Sequence, residues 1–472
     1  MRKLFIGVGI GGIFVLLILV IFLMKGTAGT IWDSPQIKKK NVATTDEYSI
    51  DSEFLDYYEL GDFDTDLPVL FVNTQGNIIT DSLPVMTKVS IVNADNDGQL
   101  HNICDKPDIT LYASMKYRGA SSNNFDKRQY KMVFFKDPNG SKKLDFDLLG
   151  MGAADGWVVN GPFLDKTLAR NYLGYTLSSE IMDWAPECKY IELFVDGVYK
   201  GVYLVIEPVS QGVGRLELSD YALLSGKTAY ILSRDREGTD LNPLQNYGKI
   251  EGYTNNDLYV EYPGPKNITD IEYEWINNDI SAFEMALYSD YYTDEESGYA
   301  AYIDVDNFVD YFIINEVTMN HDAGDLSTFP YKEINGKLKM AVWDFNNCYD
   351  NFQWFAEDFD VFYLRKMAWF DRLLTDRNFV DKVVKRYYEL RENELSVDHM
   401  YGILDQSNDI LGDAIDRNFA VWGYTFHKRL LSGRERNAKS YEEADAQLRY
   451  SIIKRFNFLD EHITDLYELC NN

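Results

Sequence analysis

Short runs of alternating or wholly apolar residues recur along the first half of the chain. Residues 68–72, 87–92, 110–117, 130–135, 157–159, 190–195 and 199–206 each read as a strand. Asp196-Gly197 separates the last two and predicts a hairpin, because a two-residue turn demands positive φ. One helical pattern interrupts the series. Between residues 165 and 181, Leu168, Tyr172, Tyr175 and Leu177 recur at near three-to-four spacing, with Asp165 as the expected N-cap. From residue 271 the texture turns helical, with amphipathic stretches at 308–319 and 376–391 and a long helix or helix pair over 441–467. A hairpin of 328–333 and 338–344 about Asn335-Gly336 interrupts it. A β-rich first half with one helix, then a helical half with one hairpin, predicts an α+β chain.

The amino terminus differs. Arg2-Lys3 precede residues 4–24, a 21-residue run without a charge, and Lys25 closes it. At ~1.5 Å per helical residue the run spans a ~30 Å hydrocarbon core. It outlasts the apolar stretch of a cleaved signal peptide, so we expect one retained transmembrane anchor after a basic 1–3. The acidic, polar residues 25–66 read as a linker, and the soluble part is expected outside the cell membrane.

Hydrophobic residues at 46% and aromatics at 15% are ample for a core, which excludes general disorder. Acidic residues outnumber basic ones by 75 to 46, a formal charge of −29. Such a surface repels nucleic acid, so no nucleic-acid partner is expected. A phosphate site must then gather its basic groups locally and recruit a divalent cation. Four widely spaced cysteines and five scattered histidines give no zinc-ligand spacing.

Three segments have the residue types that phosphoryl transfer needs. The first begins Arg118-Gly119-Ala120-Ser121-Ser122, where a small polar loop offers backbone N–H and hydroxyl groups to phosphate oxygens. Lys127, Arg128 and Lys131 follow; on a strand, Lys127 and Lys131 share one face and Arg128 takes the other. The second runs from Asn320-His321-Asp322 through Ser327 to Trp343-Asp344-Phe345-Asn346. Phosphoryl transfer needs one carboxylate near the attacking hydroxyl and another on the metal that bridges the phosphates. Asp322 stands five residues before Ser327, and Asp344 ends the later hairpin, in the order that mechanism requires. The third is Asp165 to Asn171, where Arg170-Asn171 inside an apolar helix must be paired. That pair either orients the nucleotide site or bridges two parts of the fold. Glu207, after Leu204-Val205-Ile206, either lies at a hinge between lobes or ends a strand. No Gly-x-Ser-x-Gly, Walker-type or His-Glu-x-x-His pattern occurs.

Taken in order, these segments resemble the CotH family, the spore-coat protein H type of atypical kinase. The carrying motifs are Arg118-Gly119-Ala120-Ser121-Ser122, Lys127-Arg128-Gln129-Tyr130 and Asp165-Lys166-Thr167-Leu168-Ala169-Arg170-Asn171. They continue with Leu193-Phe194-Val195-Asp196-Gly197-Val198-Tyr199-Lys200-Gly201-Val202-Tyr203 up to Glu207, then Asn320-His321-Asp322 and Trp343-Asp344-Phe345-Asn346. The resemblance implies a bilobal protein-kinase-like fold, with a β-rich N-lobe over 67–208 and a mainly helical C-lobe over 209–467. It implies ATP with Mg²⁺ or Mn²⁺, and a Ser or Thr acceptor in a protein substrate at a bacterial surface. Asp322 would be the catalytic acid, with Asp344, Ser327 and Asn346 toward the metal. Arg118, Ser121, Ser122, Lys127, Arg128, Lys131, Arg170 and Glu207 would serve the nucleotide. Two positions depart from the family pattern: Arg128 replaces a lysine, and Ser327 stands where a metal-binding Asn is expected. A non-catalytic binding module for a protein or glycan, and nucleotidyl transfer from ATP, are the alternatives.

Overall fold

The computed structural model describes residues 63–219, 226–235, 243–264 and 266–471. Short turns and two-residue bridges aside, the first half contains β1 (Val69–Asn73), β2 (Val85–Val92), β3 (Ile109–Tyr117), β4 (Tyr130–Phe135) and β5 (Gly156–Asn160). After them come helix α1 (Arg170–Ile181), β6 (Cys188–Val195) and β7 (Val198–Ile206). The seven strands close on themselves in the order β6-β7-β5-β4-β3-β2-β1. Neighbours are antiparallel, except that Val69–Val72 run parallel to Glu192–Val195 and seal the barrel.

Closure makes both faces of a strand useful. Along β7, Tyr203 and Val205 fill the barrel with Leu70, Met132 and Trp157. Their alternates Val202, Leu204 and Ile206 face outward into the larger core shared with α1 and the second half. This is why β7 reads as a continuous apolar run.

The second half holds β8 (Tyr230–Arg234), β9 (Leu258–Tyr262), α2 (Asp270–Leu287), α3 (Val305–Thr318), β10 (Phe329–Lys332) and β11 (Lys339–Ala341). Helices α4 (Arg377–Arg391), α5 (Val397–Leu411), α6 (Ala414–Trp422) and α7 (Tyr441–His462) complete it. The expected hairpin is only half of an antiparallel sheet ordered β9-β8-β10-β11. Helix α3 is capped by Asp304, whose side chain accepts the Asn307 N–H, and it ends on left-handed Met319 at φ 56°. That turn delivers Asn320, His321 and Asp322 out of the core.

The expected bilobal kinase-like fold with a preceding transmembrane helix is corrected here. The β-rich half is a closed seven-stranded barrel, which leaves no open lobe sheet, because β1 returns to β6 and occupies the edge. The anchor expected over residues 4–24 lies outside the described residues, among which no helix is long and apolar enough to cross a membrane. Helix α1 also starts later than its pattern suggested, with Ala169 at the N-cap. Asp165 instead braces the turn before it, accepting the N–H groups of Thr167 (3.1 Å) and Arg170 (2.9 Å).

Candidate active site

A cavity opens between the β3–β4 connection of the barrel and the segments that follow α3 and β11. Arg118, Ser121, Ser122 and Gln129 line one side, and Asp322, Ser327, Asp344, Asn346 and Asn347 the other. Seven of the residues singled out in the sequence therefore share one recess: Arg118, Ser121, Ser122, Asp322, Ser327, Asp344 and Asn346.

Asp344 sits in left-handed backbone at φ 59°, just past β11. Its N–H donates to the Tyr175 hydroxyl at 3.1 Å, and its Oδ1 accepts from Asn346 Nδ2 at 2.6 Å. Burial raises this carboxyl above its ordinary value; Arg118 opposes that shift and nearby Asp322 reinforces it. Asp322 accepts a hydrogen bond from Asn347 Nδ2 at 3.2 Å. Two carboxylates thus confront one another across a small polar space, a pairing that a cation would relieve.

Helix α1 sets this geometry from behind. Asn171 Oδ1 accepts the Phe345 N–H at 2.9 Å, while its Nδ2 donates to Asn346 Oδ1 at 2.8 Å. Arg170 reaches the Cys348 carbonyl at 2.8 Å and pairs with Asp165 at 2.6 Å. The Arg170-Asn171 pair therefore ties α1 to the chain beyond β11, and Arg170 does not line the cavity.

Four other expected site residues also lie elsewhere. Lys127 is buried, with Nζ donating to Asn418 Oδ1 of α6 at 2.8 Å beneath the Tyr203 ring. Burial pulls its pKa well below the lysine value, against the pull of Asp165. Arg128 stacks over Tyr117, and Lys131 lies across the strand pair from Lys116 on an exposed face. Glu207 is buried 3.4 Å from Arg215, and burial pushes its carboxyl up to about 7. The basic run was read as a strand face, but β4 begins only at Tyr130. Lys127 and Arg128 precede it and follow the turn instead.

Several members of the site went unread. Gln129, which accepts from Arg118 Nη1 at 3.3 Å, and Asn347 both line the cavity. Their polarity beside Arg128 and Asn346 was the available signal. Glu357 is another: it hydrogen-bonds His321 Nδ1 from a segment far along the chain, and no local pattern announces it.

The residues suit a divalent cation on two counts. The donors facing the recess are carboxylate, amide and hydroxyl oxygens, the hard ligands that Mg²⁺ takes. Asn320 Oδ1, beside them, is buried without a hydrogen-bond partner. Gly119, at φ 104°, has no room for a side chain: a Cβ there would lie 1.9 Å from Ser122 Oγ, so this turn packs directly against the Ser122 hydroxyl. No cluster of three or more His, Cys, Asp or Glu able to hold a metal occurs among the described residues.

The CotH kinase protein family matches residues 115–459, a stretch that takes in every segment of this site. The chain belongs to the CotH kinase family. Inner spore coat protein H of Bacillus subtilis (strain 168) is 24% identical over 158 residues. That alignment covers 32% of this chain and 40% of the relative, so less than half of the relative's length is spanned. Membership in the CotH family makes this a kinase-like protein, with the family match reaching from β3 into α7.

Proposed function

We propose that this CotH-family chain is an atypical kinase that transfers the γ-phosphoryl group of ATP to a Ser or Thr hydroxyl of a protein. The observation that carries the reading is the meeting of Asp322, Asp344 and Arg118 in one recess beneath the Gly119 loop. Asp344 and Asn346 would hold a divalent cation, with Ser327 at the rim. When bound, that cation supplies countercharge for the phosphates. Arg118 adds positive charge from the barrel side, and the Ser121 and Ser122 hydroxyls offer donors to phosphate oxygens. Asp322 orients the acceptor hydroxyl and takes its proton as the new P–O bond forms and the P–O bond between γ-phosphorus and the β–γ bridging oxygen breaks, leaving ADP. The likeness to inner spore coat protein H extends the proposal to a surface or coat location.

A thermal melt of the full-length chain with ATP and Mg²⁺ or Mn²⁺ tests the nucleotide site. A ligand at ~100 times its dissociation constant adds ~2.7 kcal/mol, enough to resolve. We expect a metal-dependent rise that Asp344→Ala abolishes, and label transfer from γ-labelled ATP that Asp322→Ala abolishes. No rise at millimolar ATP, or full transfer by both variants, would sink the reading.

A further inference from the structure

His321 is a partly buried histidine with one side spoken for. Its Nδ1 is hydrogen-bonded by Glu357 Oε1. Glu357 is itself fixed: its Oε2 accepts the Asp350 N–H at 2.6 Å, and its own N–H donates to Asp350 Oδ1 at 2.7 Å. The ring is wedged against Phe352, 4.5 Å between centroids, and Phe355, at 5.6 Å. Nε2 is buried with no hydrogen-bond partner, and the nearest carboxylate oxygen is Asp322 Oδ1 at 3.6 Å. A buried polar atom left unpaired beside a carboxylate is costly unless a proton or a ligand completes the pair.

We propose that His321 is a positioning residue for Asp322: Glu357 grips Nδ1, and a protonated Nε2 holds the Asp322 carboxylate toward the acceptor hydroxyl. This rests on the phosphotransferase reading of Asp322.

The charges around the ring favour the protonated form. Burial alone would lower the His321 pKa, yet Glu357, Asp322 and Asp344 together hold it above the ordinary imidazole value. These carboxylates come from three segments: the Asp322 turn itself, the 350–357 loop and the chain after β11. With the proton on, Nε2–H points a donor at Asp322 and its reach closes to a hydrogen bond. As pH rises through the raised value the proton leaves, two acceptors then face each other, and Asp322 loses its hold. Activity therefore falls along an alkaline limb that His321 sets.

The chain has five histidines, so NMR of the ¹³C/¹⁵N-histidine-labelled full-length protein resolves each, with His321 assigned by its loss in His321→Gln. We expect His321 to titrate above the ordinary imidazole value, and Glu357→Gln to lower it by about one unit, tenfold in proton affinity. In transfer from Mg-ATP to casein, His321→Gln should lower kcat about tenfold, keep KM for ATP, and remove the wild-type alkaline limb. A His321 that titrates at or below the ordinary value overturns the proposal, and so does an unchanged alkaline limb in His321→Gln. The wild-type titration needs no turnover. A wild-type chain that transfers nothing sinks the phosphotransferase reading and this role with it, while the titration still reports whether His321 is clamped.

Discussion

Asn171 Oδ1 accepts the backbone N–H of Phe345 at 2.9 Å, so a side chain in α1 decides where Asp344, the preceding residue, points. The same carboxamide donates to Asn346 Oδ1 at 2.8 Å. Asn171→Ala leaves the buried Phe345 N–H unpaired, a loss of about 1–3 kcal/mol. We expect a melt lowered by several degrees and a metal–ATP stabilisation that disappears, both read in one thermal-shift series.

Gly174, one turn along α1, lies against the same segment. A Cβ there would sit 2.3 Å from the Phe345 ring, which is fully buried. Gly174→Ala must therefore displace Phe345, and overpacking of this kind costs about 1–3 kcal/mol. Helix propensity alone would make the same change stabilising by up to ~1 kcal/mol. A lowered melting temperature shows that the contact wins, and a raised one would mean that Phe345 can yield.

Arg118 is the basic side chain that faces the carboxylates, 5.7 Å over the Trp343 ring. Arg118→Gln removes its charge from a half-buried position and should weaken Mg-ATP binding about tenfold, the ~1.4 kcal/mol worth of one charge-assisted contact. The melting temperature of the ligand-free protein should barely change. Isothermal titration checks the first expectation, and unaltered affinity would remove Arg118 from the nucleotide site.

Glu207 gives a pH dependence away from the cavity. Its carboxyl is raised by burial to about 7 in the folded chain, against a reference of 4.5. The folded state therefore binds more proton between those values, and its stability falls as pH rises through that window. Glu207→Gln keeps a carbonyl for the Glu187 N–H, now accepted at 2.9 Å. We expect the fall in melting temperature from about pH 5 to 7 to flatten in the variant. An identical slope in both proteins would show that another group is responsible.

Arg455 and Glu316 form a fully buried ion pair at 2.7 Å between α7 and α3. Arg455 also donates to the carbonyls of Phe359 and Val361, and Glu316 accepts the N–H groups of Tyr363 and Leu364. Arg455→Leu would strand the Glu316 carboxylate and destabilise the fold by about 3–5 kcal/mol. Denaturant unfolding measures it. Glu316→Gln combined with Arg455→Leu should recover part of the loss, because no bare charge then remains buried.

The strands and the main helices were legible because their signals are local. Period-two alternation marks 130–135 and a nearly continuous apolar run marks 199–206 wherever those strands pair, and the amphipathic stretch at 308–319 needs no distant partner to read as a helix. Asp322 and Asp344 stood out through spacing and motif order. The short strands β8 and β9 were passed over: each is five residues long, and Arg234 at the end of β8 is charged yet buried. Its guanidinium is covered by the Trp369 ring at 4.4 Å and donates to the Gly324 carbonyl, partners that no local window contains.

By itself the sequence determined most of the segments that become strands or helices, and it singled out Asp322 and Asp344 as candidate carboxylates for a transfer reaction. The tertiary structure alone decided that β1 closes on β6 as a barrel, that Lys127 turns to Asn418, and that Asn171 steers Asp344. The reason is physical. Periodicity and turn chemistry act between near neighbours, whereas closure and the pairing of buried polar groups are settled between segments far apart in the chain, where each must find a partner before it can leave water.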